Sequence, residues 1–220
     1  INFAPVIDVN NNPDNPVINM RSFGEDRVNV TRKGLLYMKG MQDNHILAVA
    51  KHFPGHGDTD TDSHLTLPLI PHSKERLDSI ELFPFKELIN SGLDGVMTAH
   101  LSVPALDTNN RIASSLSPEI VTGLLKKGLG FKGLIFTDAM NMGGVNKHFA
   151  PVAANIKAIS AGNDILLMPL DIPKTISLIQ REIRKGKISQ KDIDDRCKKI
   201  LAAKYWVGLN NYKPVDLNNL

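Results

Sequence analysis

The sequence predicts an α/β fold of the (β/α)8, TIM-barrel type, and three observations carry that expectation. Five short apolar runs, Phe3 to Val9, Ile46 to Ala50, Gly95 to Ala99, Gly133 to Thr137 and Asp164 to Met168, have the length and continuity of buried parallel strands. Segments with apolar residues at helical spacing separate them. Polar groups follow four different runs, namely Asp8, the stretch Lys51 to His64, His100 and Asp138. That distribution suits strand ends ringing one pocket, whereas an open sheet gathers its ligand groups at one switch point.

Taken in order, the chain opens on Asn2-Phe3-Ala4-Pro5-Val6-Ile7-Asp8-Val9, a buried strand with neither Met nor signal peptide before it. A helix is predicted over 27–43, then the second strand, then a helix over 73–91. Ser73 is its cap, and Leu77, Ile80, Leu82, Phe85, Leu88 and Ile89 are apolar. The third strand leads to a helix over 117–127 that opens with Ser117-Pro118-Glu119, proline being tolerated in a first turn. Helices over 151–161 and 171–185 flank the fifth strand, and Gly92, Gly128, Gly130 and Gly162 stand where helices should stop. Beyond 186 a turn and a capped helix carry Ile193, Cys197, Ile200, Leu201 and Lys204 at helical spacing, a helix expected on the outside of the barrel. Residues 1–209 thus form the barrel domain, and the Asn-rich 210–220 a linker or tail. Eight strands typically take about 250 residues, so five β/α units imply a barrel truncated at its N-terminus.

Composition narrows the class. The 220 residues are 42% hydrophobic and 22% charged, an ordinary globular balance with one sizeable core. A net charge of +3, with Lys and Arg interspersed among Asp and Glu, gives no extended surface for nucleic acid. No run of about 18 apolar residues exists to span a membrane. One cysteine, Cys197, excludes an internal disulfide framework and leaves the compartment open. No glycine-rich nucleotide loop and no cofactor signature appears.

The chemistry is densest in Lys51-His52-Phe53-Pro54-Gly55-His56-Gly57-Asp58-Thr59-Asp60-Thr61-Asp62-Ser63-His64. Asp58-x-Asp60-x-Asp62 begins like a calcium loop, but Ser63 stands where the turn glycine belongs and Leu69 where the bidentate Glu belongs. No metal is expected. Asp62 and His64 instead fit a dyad in which a carboxylate orients an imidazole for proton transfer near neutrality; a solvated loop histidine is the plain alternative. Asp138, directly after a strand, reads equally as a nucleophile or as the cap of a following helix.

The loop from Lys51 to Gly57 with Asp62-Ser63-His64 resembles the signature of the β-N-acetylhexosaminidase branch of glycoside hydrolase family 3. Asn2 to Val9, Arg21-Ser22-Phe23-Gly24-Glu25-Asp26, Met97 to His100 with Pro104 to Asp107, and Gly130 to Ile135 with Thr137-Asp138 agree in order, so the likeness runs from residue 1 to about 209. The resemblance implies a retaining exo-β-N-acetylglucosaminidase acting on peptidoglycan-derived β-N-acetylglucosaminides. It implies Asp138 as nucleophile, His64 as general acid/base, Asp62 as the group that orients it, and Arg21, Lys51 and His52 as holders of the sugar. Gly55 and Gly57 would permit positive φ in the loop. Two departures stand out. The upstream segment with an Asp-Gln-Glu-Gly-Gly-Arg block is not in this sequence, so weak or no activity is expected of these residues alone, and Ala139 replaces a commoner acidic residue beside Asp138. A family 3 phosphorylase and an inactive carbohydrate-binding barrel are the alternative readings, and a further domain beyond Leu220 is compatible with all three.

Overall fold

A computed structural model of the chain describes residues 1–60, 67–109, 112–146 and 149–214. Four parallel strands pair in chain order: β1 (Val49–Phe53), β2 (Gly95–Thr98), β3 (Leu134–Ala139) and β4 (Ile165–Leu167). Parallel neighbours need crossover connections, and helices supply them. Before β1 lies α1 (Arg27–Gln42), and between β1 and β2 lie α2 (Lys74–Ser79) and α3 (Phe83–Asn90). A helix over Glu119–Gly128, wound with the wider π-type bonds, links β2 to β3. Then come α4 (Gly143–Asn146) and α5 (Pro151–Ala161) before β4, with α6 (Ile172–Arg184) and α7 (Gln190–Trp206) after it. No helix among the described residues is long and apolar enough to cross a membrane.

Four of the five predicted strands form, and the one over 3–9 is corrected. That segment runs parallel to β1 but bridges it only at Asn2 with Ala48 and at Val6 with Lys51. Pro5 has no N–H for a ladder, and it contributes only its carbonyl, which accepts from Lys51 N at 3.1 Å. The single helix predicted over 73–91 is two. Ser73 does cap α2, accepting from Arg76 N, but Pro84 is admitted only in a first turn, so a new helix begins at Phe83.

The sheet has an apolar layer on each face. Ala48, Ala50, Val96 and Ile135 meet Val30 and Met38 of α1 and Phe85 and Leu88 of α3. On the opposite face Val49, Met97, Leu134 and Phe136 pack with Phe3, Ile165, Leu167 and with Ile200 and Ala203 of α7. Hence α7 does not simply lie outside the helical layer. Leu47, Leu93 and Leu134, near the N-terminal ends of β1 to β3, line a groove with Ala203 and Trp206, and covering that apolar surface places the helix there. A single turn of 3-10 helix, Leu209–Asn211, straddles the expected boundary between 209 and 210; residues 215–220 lie outside the described residues.

Candidate active site

The C-terminal ends of the strands carry the titratable groups. Asp8, fully buried at the end of the N-terminal segment, accepts from three donors. His52 N lies 3.1 Å from Oδ1, His56 N 2.8 Å from Oδ1, and His52 Nδ1 2.7 Å from Oδ2. A carboxylate only accepts, so His52 Nδ1 carries the hydrogen and Nε2 is left for the cleft. That nitrogen stands 3.5 Å from Arg21 Nη2.

A cleft of about 160 Å³ is lined by Phe3, Arg21, Lys51, His52, Met97 and Asp138, among others. Four of the six predicted site residues therefore converge. Asp62 and His64 lie outside the described residues. Lys51 and His52 are adjacent in sequence and would face opposite ways in a regular strand. The register of β1 against β2 breaks between Ala50 and Phe53, and both reach the cleft. Asp138 sits within the last residues of β3, and the next helix starts only at Gly143, so it caps none.

Three residues support the site: Asn15 was not foreseen, while His100 and His56 belong to the polar groups expected around the pocket, without a role assigned to either. Asn15, fully buried, donates to His56 O at 2.8 Å and accepts from Val17 N and Ile18 N at 2.9 Å each. It thereby fixes the turn Asn19–Arg21 that presents Arg21. His100 bonds Ser115 Oγ at 2.7 Å and donates toward Ala139 O at 3.1 Å, bracing the chain beside Asp138. His56 packs edge-on to His52 at 5.8 Å, with Nδ1 2.8 Å from Thr59 Oγ1. The Asn-rich run 10–15 was the one local signal for the first of these. Of the two loop glycines, Gly55 does adopt φ +132°, but Gly57 is needed for space, since a Cβ there would stand 1.9 Å from Val9 O.

Residues 1–203 match the model of the glycosyl hydrolase family 3 N terminal domain. The chain belongs to glycosyl hydrolase family 3. Beta-hexosaminidase A of Pseudoalteromonas piscicida is 44% identical over 183 residues, which cover 78% of this chain and 30% of that protein. The solved family 3 β-N-acetylglucosaminidase of Paenibacillus sp. superposes with a TM-score of 0.92 at 38% identity, covering 98% of this chain and 41% of that one. The beta-glucoside phosphorylase BglX superposes with a TM-score of 0.90 at 28% identity, covering 96% and 40%. The chain thus spans less than half the length of each.

The electrostatics of this family 3 chain separate its charges by role. Burial works to raise the Asp138 carboxyl, but the charges of His52 and His100, the Ala139 N–H and Lys51 outweigh it and hold the group below 3.8. Asp8 is held low in the same sense: burial opposes, while His52, by charge and hydrogen bond, and His56 prevail. Lys51 is pulled below 10.5 by burial and by Arg21, against the attraction of Asp138 and Asp8. The cleft therefore sets an ionised carboxylate among cationic donors.

His56 is pushed from 6.5 down to about 4, by burial first and His52 next, against Asp8. Above pH 6.5 it is neutral folded or unfolded and costs nothing; as pH falls toward 4 the unfolded chain takes a proton that the folded chain refuses. Stability should fall by about 3 kcal/mol across that window on this account alone. In urea titrations at pH 7.5 and pH 4, His56→Gln should lose about 3 kcal/mol less than the wild type. Equal losses in the two proteins would remove the buried imidazole as the cause.

Proposed function

We propose that this chain forms part of the catalytic (β/α)8 barrel of a retaining exo-β-N-acetylglucosaminidase. Its four parallel strands would be an arc of that barrel, with the cleft at the strands' C-terminal ends, where barrel enzymes hold their active sites. The observation that carries the reading is the Asp138 carboxylate, kept ionised in one cleft with Arg21, Lys51 and His52. Asp138 would attack the anomeric carbon as the glycosidic bond breaks, giving a covalent glycosyl-enzyme that water then hydrolyses with net retention. His64, oriented by Asp62, would give its proton to the departing oxygen and take one from the incoming water. Arg21 and Lys51 supply donors only, and His52, with Nδ1 committed to Asp8, offers Nε2 as acceptor or, when protonated, donor. Such a set suits the hydroxyls and the acetamido carbonyl of N-acetylglucosamine, the likeness to β-hexosaminidases supports a hexosaminide, and peptidoglycan-derived fragments are the substrate class in this reading.

Phosphorolysis is a second reading, favoured by the likeness to BglX and by the histidine acid/base, which can be neutral and so admit an anionic acceptor. The test is to incubate the full-length protein with p-nitrophenyl β-N-acetylglucosaminide with and without phosphate, following product anomers by NMR. β-N-acetylglucosamine as first product, at a rate independent of phosphate, is the expected result. Sugar 1-phosphate would turn the assignment to phosphorolysis, and binding without turnover would turn it to a carbohydrate-binding barrel.

A further inference from the structure

A second cavity, of about 560 Å³, is larger than the catalytic cleft and opens at the other ends of the strands. Lys132 and Asp164 in its wall stand within two residues of the starts of β3 and β4. The helix over Glu119–Gly128 supplies Lys126 and Lys127, the turn after α5 supplies Gly162, and α7 supplies Arg196 and Lys199. Gly162 lets these elements close on one another. Its φ is +119°, and a Cβ there would stand 2.5 Å from Thr122 Oγ1 and 3.2 Å from Lys126 Nζ.

Part of this charge holds the fold. Asp164, its side chain 1% exposed, accepts from Ile135 N at 2.9 Å and from Lys199 Nζ at 2.5 Å, while Arg196 Nη1 donates to Asn163 O at 3.0 Å. These contacts dock α7 against the start of β4. They do not use up the cations. Lys126 Nζ stands 4.0 Å from Asp164 Oδ1, beyond hydrogen-bond reach, and that buried oxygen has no hydrogen-bond partner, so Lys126 is not committed to it. Five Lys and Arg side chains line the cavity against three carboxylates, and one of the three, Asp195, is engaged by Lys191 and Lys198 from outside the cavity. Burial holds Lys126 below 10.5, and Arg196 and Lys199 press it the same way, against the pull of Asp164 and Asp192. Like charges crowded in a partly enclosed space repel one another, and an anion placed among them relieves the repulsion.

We infer that this cavity binds a phosphate group, with Lys126, Lys132 and Arg196 as its cationic donors. A tetrahedral anion offers oxygens in several directions, which suits donors converging from the helix over Glu119–Gly128, the start of β3 and α7. The volume also leaves room for an organic moiety beside the phosphate, against Phe131. The site is separate from the catalytic cleft and owes nothing to the reaction proposed there.

The experiment titrates the full-length protein by calorimetry with inorganic phosphate and with glucosamine 6-phosphate, at fixed ionic strength in chloride. Saturable binding of at least one is expected. Tighter binding of the sugar phosphate would assign the spare volume to an organic moiety, and equal binding would assign the site to free phosphate; either supports it. Replacing Lys126→Gln and Lys132→Gln together should weaken binding about a hundredfold, at about tenfold for each charge-assisted hydrogen bond lost. Lys33→Gln, at an exposed position on α1, should leave it unchanged. If the double variant does not fold, acetylation of the wild type gives the same comparison: phosphate should slow modification of Lys126 and Lys132 severalfold and leave Lys33 as it was. Absence of binding, full affinity in the double variant, or no protection of the two lysines would overturn the site. Binding lost in Lys51→Gln but kept in the double variant would put the anion in the catalytic cleft and overturn it equally.

Discussion

Asp138→Ala is expected to abolish turnover of an aryl β-N-acetylglucosaminide, by on the order of 10⁴-fold in kcat, because no other carboxylate lines the cleft among the described residues. In the proposed mechanism no glycosyl-enzyme would then form, and the proton donor would have nothing to assist. The vacated space also supplies a sharper test. Azide entering from the face Asp138 occupied should restore part of the rate and give the α-glycosyl azide, detectable by NMR, since one displacement replaces two. Circular dichroism should report an unchanged fold. Turnover persisting near the wild-type rate, or a rescued product of β configuration, would remove Asp138 from the nucleophile's role. The sign of its titration adds a second check. The carboxyl is held below 3.8, so it stays ionised as pH falls through 6 and 5, and an acid limb in that range must belong to another group.

Asp8→Ala should be the most destabilising single change near the site, at about 3 to 5 kcal/mol. The carboxylate is fully buried and satisfies His52 N, His52 Nδ1 and His56 N together. Truncation leaves three donors without partners in a space closed to water, and an unmet buried donor costs its full desolvation. The urea midpoint should shift accordingly. A loss below about 1 kcal/mol would mean the donors find other acceptors. The linkage has a definite direction. A carboxyl whose folded pKa is depressed gives its full stabilisation above 3.8, and that is lost as pH falls through the lower folded value. Asp8→Ala should therefore flatten the acid side of the stability profile as well as lower it.

The two effects differ in how far they could be foreseen. Asp138 follows a clean apolar run, and a carboxylate at a strand's end is a local pattern. Asp8 follows a similar run, but its role depends on partners 44 and 48 positions away, and no local pattern names them. The helix over 73–91 shows the opposite failure. Its apolar spacing is continuous, and Pro84 was a signal present in the sequence whose backbone consequence outweighs the spacing. The N-terminal strand failed for the same kind of reason, at Pro5.

The sequence by itself determined the alternation of strand and helix, because apolar continuity and helical spacing are properties of neighbouring residues. It singled out also Lys51, His52 and Asp138, which the structure places in one cleft, since residue type is legible without a fold. Only the tertiary structure decided which of them meet. Lys51 and His52 share a cleft because the register of β1 breaks after Ala50. Gly57 is glycine because Val9 O passes where a Cβ would be. His52 points one nitrogen at the cleft because a buried Asp8 claims the other. Each is a contact between segments far apart in the chain, set by packing that one-dimensional order does not contain.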